Sequence, residues 1–512
     1  MKKLLTLSIS AVVLAAGLAG CSSNSSMGDK KETAQPTANQ NANVDDGKEK
    51  MDISMLVSTA AGGGWSENHP MIQKLNEKLN INLKFQWVPG DNYEEKLNVM
   101  AASNTFPDVF HATNPNSYNK WQEKGVFLDL KPLLPQYANL TKEIPQRDLQ
   151  MMNPKDHIYG LPLYAPSFRS NLSIRKDWLD KLNLKMPTTV DEFYDVAKAF
   201  AEKDPDGNGK KDTIGFSMNI SANGTINNID YLKGAFGISN NWKLVDGKLV
   251  PMQTQAKEWK DFATFLRKAY ADGVLDKDFP VNKERDPWNK LEANTNGIAE
   301  VNPNEVYTTS LPTLQKLDPK AEIVQLTPPK GPTGLQFANT VISTAKIVVN
   351  AKTDPKKQQR IMKLLDYMLS DEGYTLIKNG IEGVDYKKEG DKVTMLPAFT
   401  TNRPQILSTW FFRRFDPGIQ IRLWDDKSYG DKVLAWFKNT EPYRYDNPGA
   451  GLVSDTLTKV GTDLNKKFTN AIIKVIVGQE PVDSIDKAVE QWKSGGGDDV
   501  AKEINDIYAK MK

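Results

Sequence analysis

The sequence predicts an α/β protein of two lobes, and three observations carry that reading. A chain of 512 residues is too long for one hydrophobic core, so the natural division is into two. Hydrophobic residues make up 39% of it and charged residues 25%, the proportions of an ordinary soluble globular protein. Residues 52–88 read strand, helix, strand, which is the β-α-β opening of a parallel or mixed sheet covered by helices. No internal repeat is visible.

Ahead of that opening lies a different kind of sequence. Lys2 and Lys3 precede an apolar run from Leu4 to Leu18, followed by Ala19, Gly20 and Cys21. The run is too short to span a bilayer comfortably, and its charged-then-apolar order is that of a secretory signal over residues 1–20. Leu-Ala-Gly-Cys resembles the lipobox of bacterial lipoproteins, which implies that Cys21 is acylated and anchors the protein to the membrane. Cys21 is the single cysteine, so no internal disulfide forms. Residues 21–50 are rich in Ser, Asn, Gln, Asp and Lys, with almost no large apolar side chain, and read as a flexible tether reaching about 30 Å. Formal charge is +2, and removing Lys2 and Lys3 with the signal leaves 64 basic against 64 acidic residues. That balance argues against a nucleic-acid partner held by bulk electrostatics.

The elements then follow in order. Residues 52–57 form the first strand, ending in Ala60-Ala-Gly-Gly-Gly-Trp65. No GK[ST] follows the three glycines, so this is not a phosphate loop. It reads as a glycine turn carrying Trp65 into the open space at a strand's end, where ligands of open α/β sheets collect. Pro70–Leu79 is an amphipathic helix, 81–88 a strand and 93–102 a helix. After a short helix at 176–182, Thr188 or Thr189 caps another, with Glu192 placed to close a capping box on Thr189. Phe193, Val196, Ala197 and Phe200 give that helix one buried face. Residues 214–218 read as a strand, and 259–271, 355–370, 468–477 and 482–492 as helices.

Between helix and strand stands a run of oxygen donors. Asp204, Asp206, Asn208 and Asp212 occupy relative positions 1, 3, 5 and 9, with Gly209 at position 6 and the Lys210 carbonyl at position 7. This is the ligand spacing of an EF-hand-type calcium loop, whose glycine permits the sharp turn. Gly215 replaces the bidentate glutamate of position 12, and Thr213 offers only a hydroxyl in compensation. The alternative is an Asx/Gly turn joining helix to strand. The donor set favours a structural Ca²⁺.

RKDWLDKL from Arg175, PTTVDEFYDVAKAF from Pro187 and DPDGNGKKDTIG from Asp204 closely resemble the lipoprotein solute-binding subunits of bacterial carbohydrate ABC importers. The likeness is greatest to the branch with an EF-hand-like loop, which includes alginate-oligosaccharide binders. Phe106-Pro-Asp-Val-Phe110, Asp129-Leu-Lys-Pro-Leu-Leu and the stretch from Ile158 to Tyr164 are similar to the same family. The resemblance implies a periplasmic-binding-protein type II fold with a hinged cleft between its lobes. Lobe 1 would take residues 51–166 and 338–400, and lobe 2 residues 167–337 and 401–512. It also implies a monomer that captures an oligosaccharide and delivers it to ABC permease subunits.

Sugar recognition needs flat apolar faces for the rings and planar polar groups for the hydroxyls. Aromatics set in polar or glycine-rich stretches are the candidates: Trp65, Tyr164, Phe168, Trp242, Trp288, Tyr307, Trp410 and Trp424. Trp178, Trp259, Trp436 and Trp492 lie on helical patterns and are assigned to the core. Asn302-Pro-Asn-Glu-Val-Tyr307 resembles a family loop that faces the cleft, which adds Glu305. Arg413 and Arg414 stand in an arginine-rich stretch beside Trp410, where their forks suit either a uronate or an ion-pair cluster between lobes.

Catalysis has little support. Ser117-x-x-Lys120, Ser221-Ala-Asn223 and Lys493-Ser-Gly495 mimic the motifs of penicillin-binding enzymes, but the third falls in a glycine-rich loop rather than on a strand. There is no HExxH and no GxSxG. A sensory or structural lipoprotein, or a glycan-acting enzyme, remains the alternative function.

Overall fold

The computed structural model describes residues 44–59, 66–153, 156–163, 171–221, 224–340, 345–390, 392–399, 412, 414 and 427–509. The chain divides into a unit of residues 1–44 and a unit of residues 45–512, and the account below concerns the second. Two sheets, each with its own core, make the two lobes of a mixed α/β fold.

The first sheet has the order Ile81–Pro89, Met51–Thr59, Val109–Ala112, Lys346–Val349, Leu161–Pro162. The first three strands are parallel, with Met51 beside Ile81 and Met55 beside Val109. Lys346–Val349 runs antiparallel between Val109–Ala112 and Leu161–Pro162. Alternation along the strands divides the core in two. Ile53, Met55 and Val57 face one apolar layer with Leu364 and Leu365 of the helix Pro355–Leu369. Leu56, Phe110 and Val348 face another with Tyr93 and Trp121. A sheet buried on both faces needs both layers, and helices supply them.

The second sheet has the order Ile323–Gln325, Asn171–Arg175, Asn296–Val301, Ile214–Phe216. The helix Val190–Glu202 lays Phe193, Val196, Ala197 and Phe200 on it, started by the expected capping box between Thr189 and Glu192. Trp178, Trp259 and Trp492 are buried in the same core, and Trp436 in a smaller one beside it. Between the sheets, Ala338–Asn339 pairs in parallel with Arg444–Tyr445. Asn240 Nδ2 ties the two together by donating to the carbonyls of Thr340 and Tyr445.

Three boundaries differ from expectation. The tether was expected to run to residue 50, yet Asp45 is buried against Arg360 and Asn80 Nδ2 donates to the Gly47 and Lys48 carbonyls. A carboxylate with a buried guanidinium to meet orders its neighbours, which composition alone does not reveal. Residues from 401 onward were expected in lobe 2, but Phe412 is buried in the first sheet's layer beside Leu376 and Phe399. The helix expected at 468–477 is the longer Asp455–Ile476, capped by Ser454.

Candidate functional site

Strand direction places the site. Four strands of the first sheet run the same way, so Thr59, Pro89, Ala112 and Pro162 all end at one edge. In the second sheet Val301 stands opposite Asn171, and Ile214–Phe216 runs parallel to Asn296–Val301, so Asn171, Phe216 and Val301 share an edge. The chain passes from the first of these edges, after Pro162, to the second, at Asn171. Ligands of open α/β sheets bind at such strand ends.

A cavity of about 440 Å³ lies where the two lobes meet. Pro115, just beyond Val109–Ala112, is the one residue of the first lobe among its described lining. Trp242, Gln253, Asn447 and Asn465 line it from the second, and Thr340 lines it beside the crossing strand. Its size falls in the range of roughly 300–1,000 Å³ typical of small-molecule pockets. Two buried amide nitrogens near the same edge, Asn171 Nδ2 and Asn219 Nδ2, have no partner among the described residues. A larger cavity of about 700 Å³ lies between Asp455–Ile476 and Ser484–Trp492. Every described residue lining it belongs to the second lobe, so filling it would not draw the lobes together.

The sequence-predicted aromatics divide. Trp242 lines the junction cavity, packed with Leu249, Val500 and Ile504. Gly449 lies so close on the indole that a Cβ there would sit 2.6 Å from its Cδ1. Trp288 donates its indole N–H to the Glu300 carbonyl, and Arg285 covers its ring at 5.2 Å. The same Arg285 holds Glu305 at 2.8 Å and Glu292 at 2.9 Å, so Trp288 and Glu305 belong to one braced wall. Tyr307 packs edge-on against Tyr429 at 5.1 Å and beside Trp436, and burial pushes its hydroxyl up to about 12. Arg414 is engaged by Asp371 at 2.7 Å and Glu143 at 3.7 Å, with its guanidinium over the Tyr374 ring. Trp65, Tyr164, Phe168, Trp410, Arg413, Trp424 and Cys21 lie outside the described residues. Gln253, Thr340, Asn447 and Asn465 escaped the sequence reading. The turn-like Asn447-Pro-Gly-Ala-Gly451 stretch was the available signal.

The acidic loop is a compact turn. Asp204 accepts from the backbone N–H groups of Gly207, Asn208 and Gly209, with Gly209 at φ +76° giving the reversal. Asn208 Nδ2 donates to Asp206 at 2.6 Å and to Asp212 at 3.1 Å. A hydrogen bond from Asp206 holds the Asp204 carboxyl below the usual range, while burial and then Asp204 itself raise that of Asp206. Among the described residues no three His, Cys, Asp or Glu side chains are gathered as around an ion. In this loop an amide N–H group occupies the place among the carboxylates. The donors nonetheless fit a hard cation. They are all oxygen once Asn208 turns its amide, and the crowded Asp204–Asp206 pair is what a divalent charge relieves. Thr213 does not join them, because it is buried and its hydroxyl donates to the Phe200 carbonyl. Gly215 has a packing reason too: a Cβ there would lie 2.5 Å from the Ala197 carbonyl oxygen.

Residues 68–375, more than half of the chain, match the model of the bacterial extracellular solute-binding protein family. The chain belongs to that family. This solute-binding protein is 29% identical over 458 residues to lipoprotein LipO of Bacillus subtilis, covering 87% of this chain and 90% of LipO. It is 28% identical over 467 residues to the polygalacturonan/rhamnogalacturonan-binding protein YtcQ of the same organism, covering 86% and 88%. Among solved structures, it resembles an HMO-binding, ABC-transporter-associated solute-binding protein of Bifidobacterium longum infantis at TM-score 0.73 and 20% identity, over 90% and 99% of the two chains. It also resembles an EF-hand mutant of the S. pneumoniae ABC-transporter substrate-binding protein FusA in complex with fructo-nystose, at TM-score 0.65 and 21% identity, over 90% and 99%. These likenesses establish the two-lobed fold.

Proposed function

We propose that this solute-binding protein captures an oligosaccharide between its lobes and delivers it to the permease of an ABC importer. The observation that carries the reading is the junction cavity, walled by the second lobe, with Thr340 beside the strand Ala338–Asn339 and Pro115 reaching it from the first lobe. A ligand bridging both walls stabilises the closed arrangement over the open one, and the closed form is what a permease distinguishes. The relatives named above support the ligand class, since one binds pectic polymers and a structural neighbour was solved with a fructan. The protein turns nothing over in this scheme. Cys21 is the lipid anchor that holds it to the outer face of the membrane. Asp204, Asp206, Asn208, Asp212 and the Lys210 carbonyl hold Ca²⁺, which staples the end of Val190–Glu202 to the strand Ile214–Phe216 and takes no part in ligand chemistry.

A thermal-shift screen of the mature chain against plant and microbial oligosaccharides tests the reading. A saturable rise in melting temperature with one saccharide class, unaccompanied by its hydrolysis, is the expected result. Hydrolysis of the ligand, or stabilisation by none of the panel, contradicts it.

A further inference from the structure

We infer that the sugar unit seated in the junction cavity is uncharged and is recognised through its hydroxyls. The inference rests on the oligosaccharide reading and names the class of saccharide. Its basis is the chemistry of the wall. Among the described residues lining the cavity not one side chain is ionisable. The polar groups are amides, the hydroxyls of Thr340 and Thr458 and the indoles of Trp242 and Trp492. Asn447 Oδ1 accepts the Gly449 N–H at 2.9 Å, which commits its oxygen to the turn and leaves its Nδ2 to donate. Gln253 Nε2 donates to Asn465 Oδ1 at 3.1 Å, which fixes both amides and leaves Gln253 Oε1 to accept and Asn465 Nδ2 to donate. Fixed donors and acceptors side by side suit a hydroxyl, which does both at once.

A carboxylate would fare badly in the same place. It accepts only, so Gln253 Oε1 would face it as a second acceptor, and no cation among the described residues of the wall would offset its lost hydration. Two ionic groups close to Asn447 in the chain are engaged with each other. Arg444 Nε donates to Asp446 at 2.8 Å, and Asp446 also accepts from Thr340 Oγ1 at 2.6 Å. Arg414, offered by the sequence as a uronate fork, is committed to Asp371 and Tyr374.

Isothermal titration of the mature chain tests this. The probes are neutral fructo-, xylo-, gluco- and galacto-oligosaccharides of three to five units and oligogalacturonates of the same lengths, each at low and at high salt. A neutral ligand is expected to bind at least a hundredfold more tightly than its acidic counterpart, with affinity unchanged by salt within about twofold. Oligogalacturonates binding as tightly as any neutral ligand, or affinity that falls steeply with salt, overturns the inference and leaves the oligosaccharide reading standing. Absence of binding by every probe overturns both. Asn447→Asp keeps the acceptor for the Gly449 N–H and puts a carboxylate on the wall. It should weaken the neutral ligand about tenfold with melting little changed, and unchanged affinity in a folded variant would also overturn the assignment.

Discussion

Asp45 and Arg360 show how a single residue sets where folded structure begins. Each side chain is 1% exposed, and the pair is bidentate at 2.6 and 2.7 Å, with Lys363 adding a third contact. The Arg360 hydrogen bond, opposed by burial, holds the Asp45 carboxyl far below the usual carboxylate range. A depressed folded value means that the stabilisation is complete above the unfolded carboxyl's titration and fades as pH falls through the folded one. Asp45→Asn, which strands a buried guanidinium, should cost about 3 kcal/mol at neutral pH in denaturant titrations, and less as the pH is lowered. Lys346 has the opposite sense. Its ammonium is buried over the Tyr118 ring at 4.4 Å, touches Met152 O and Gln122, and is pushed by burial down to about 7. Between that value and the ordinary 10.5 the unfolded chain binds more protons, so stability should rise with pH across that window. Lys346→Met should raise stability at pH 7 by about 1–3 kcal/mol and flatten the rise, whereas an unchanged slope would remove Lys346 as its source. Neither residue was legible in the sequence, because a buried charge announces itself only through a partner hundreds of positions away. Arginine density near Arg414 was visible, but which carboxylates it would meet was not.

At the scale of the element, local rules served well. The capping box on Thr189 and the buried face of Val190–Glu202 were readable because their patterns close within a few residues, and the β-α-β opening because its strands are consecutive in the chain. The start of Asp455–Ile476 was not, since Gly461 and a polar first turn interrupt its apolar period. The acidic loop was recognised by spacing, and its departure from the EF-hand pattern has a tertiary cause in the contact of Gly215 with Ala197. Binding only to the folded state, Ca²⁺ at a hundred times its dissociation constant would add about 2.7 kcal/mol. Chelator should therefore lower the melting temperature of the parent and leave Asp204→Ala, already lowered, unmoved. If chelator leaves the parent's melting unchanged, the loop is an Asx turn and no more. Gly215→Glu should not improve Ca²⁺ binding, because the added Cβ must first displace the Ala197 carbonyl.

At the scale of the molecule, the two lobes were legible from length, patterning and family resemblance, and the cavity between them was not. Its wall gathers Pro115, Trp242, Gln253, Thr340, Asn447 and Asn465 from segments hundreds of residues apart. Amides and hydroxyls have no spacing signature of the kind that carboxylates in a loop possess. Trp242 was noticed because an indole in a polar stretch is conspicuous, whereas Trp288 and Tyr307 looked similar and are braced by Arg285 and Tyr429. The pair Ala338–Asn339 and Arg444–Tyr445, with Phe337 stacked on Tyr445 at 4.6 Å, likewise joins segments far apart in the chain.

Closure on a saccharide is the central claim, and the chain's single cysteine makes it directly measurable. Cys21→Ser gives a cysteine-free background in which Lys74→Cys on the first lobe and Lys487→Cys on the second carry spin labels, both at exposed helical positions. The interspin distance distribution should move to a shorter, narrower peak when a neutral oligosaccharide is added to saturation, with no change in sugar composition of the sample. A distribution unmoved by a saccharide that titration shows to be bound would contradict the account.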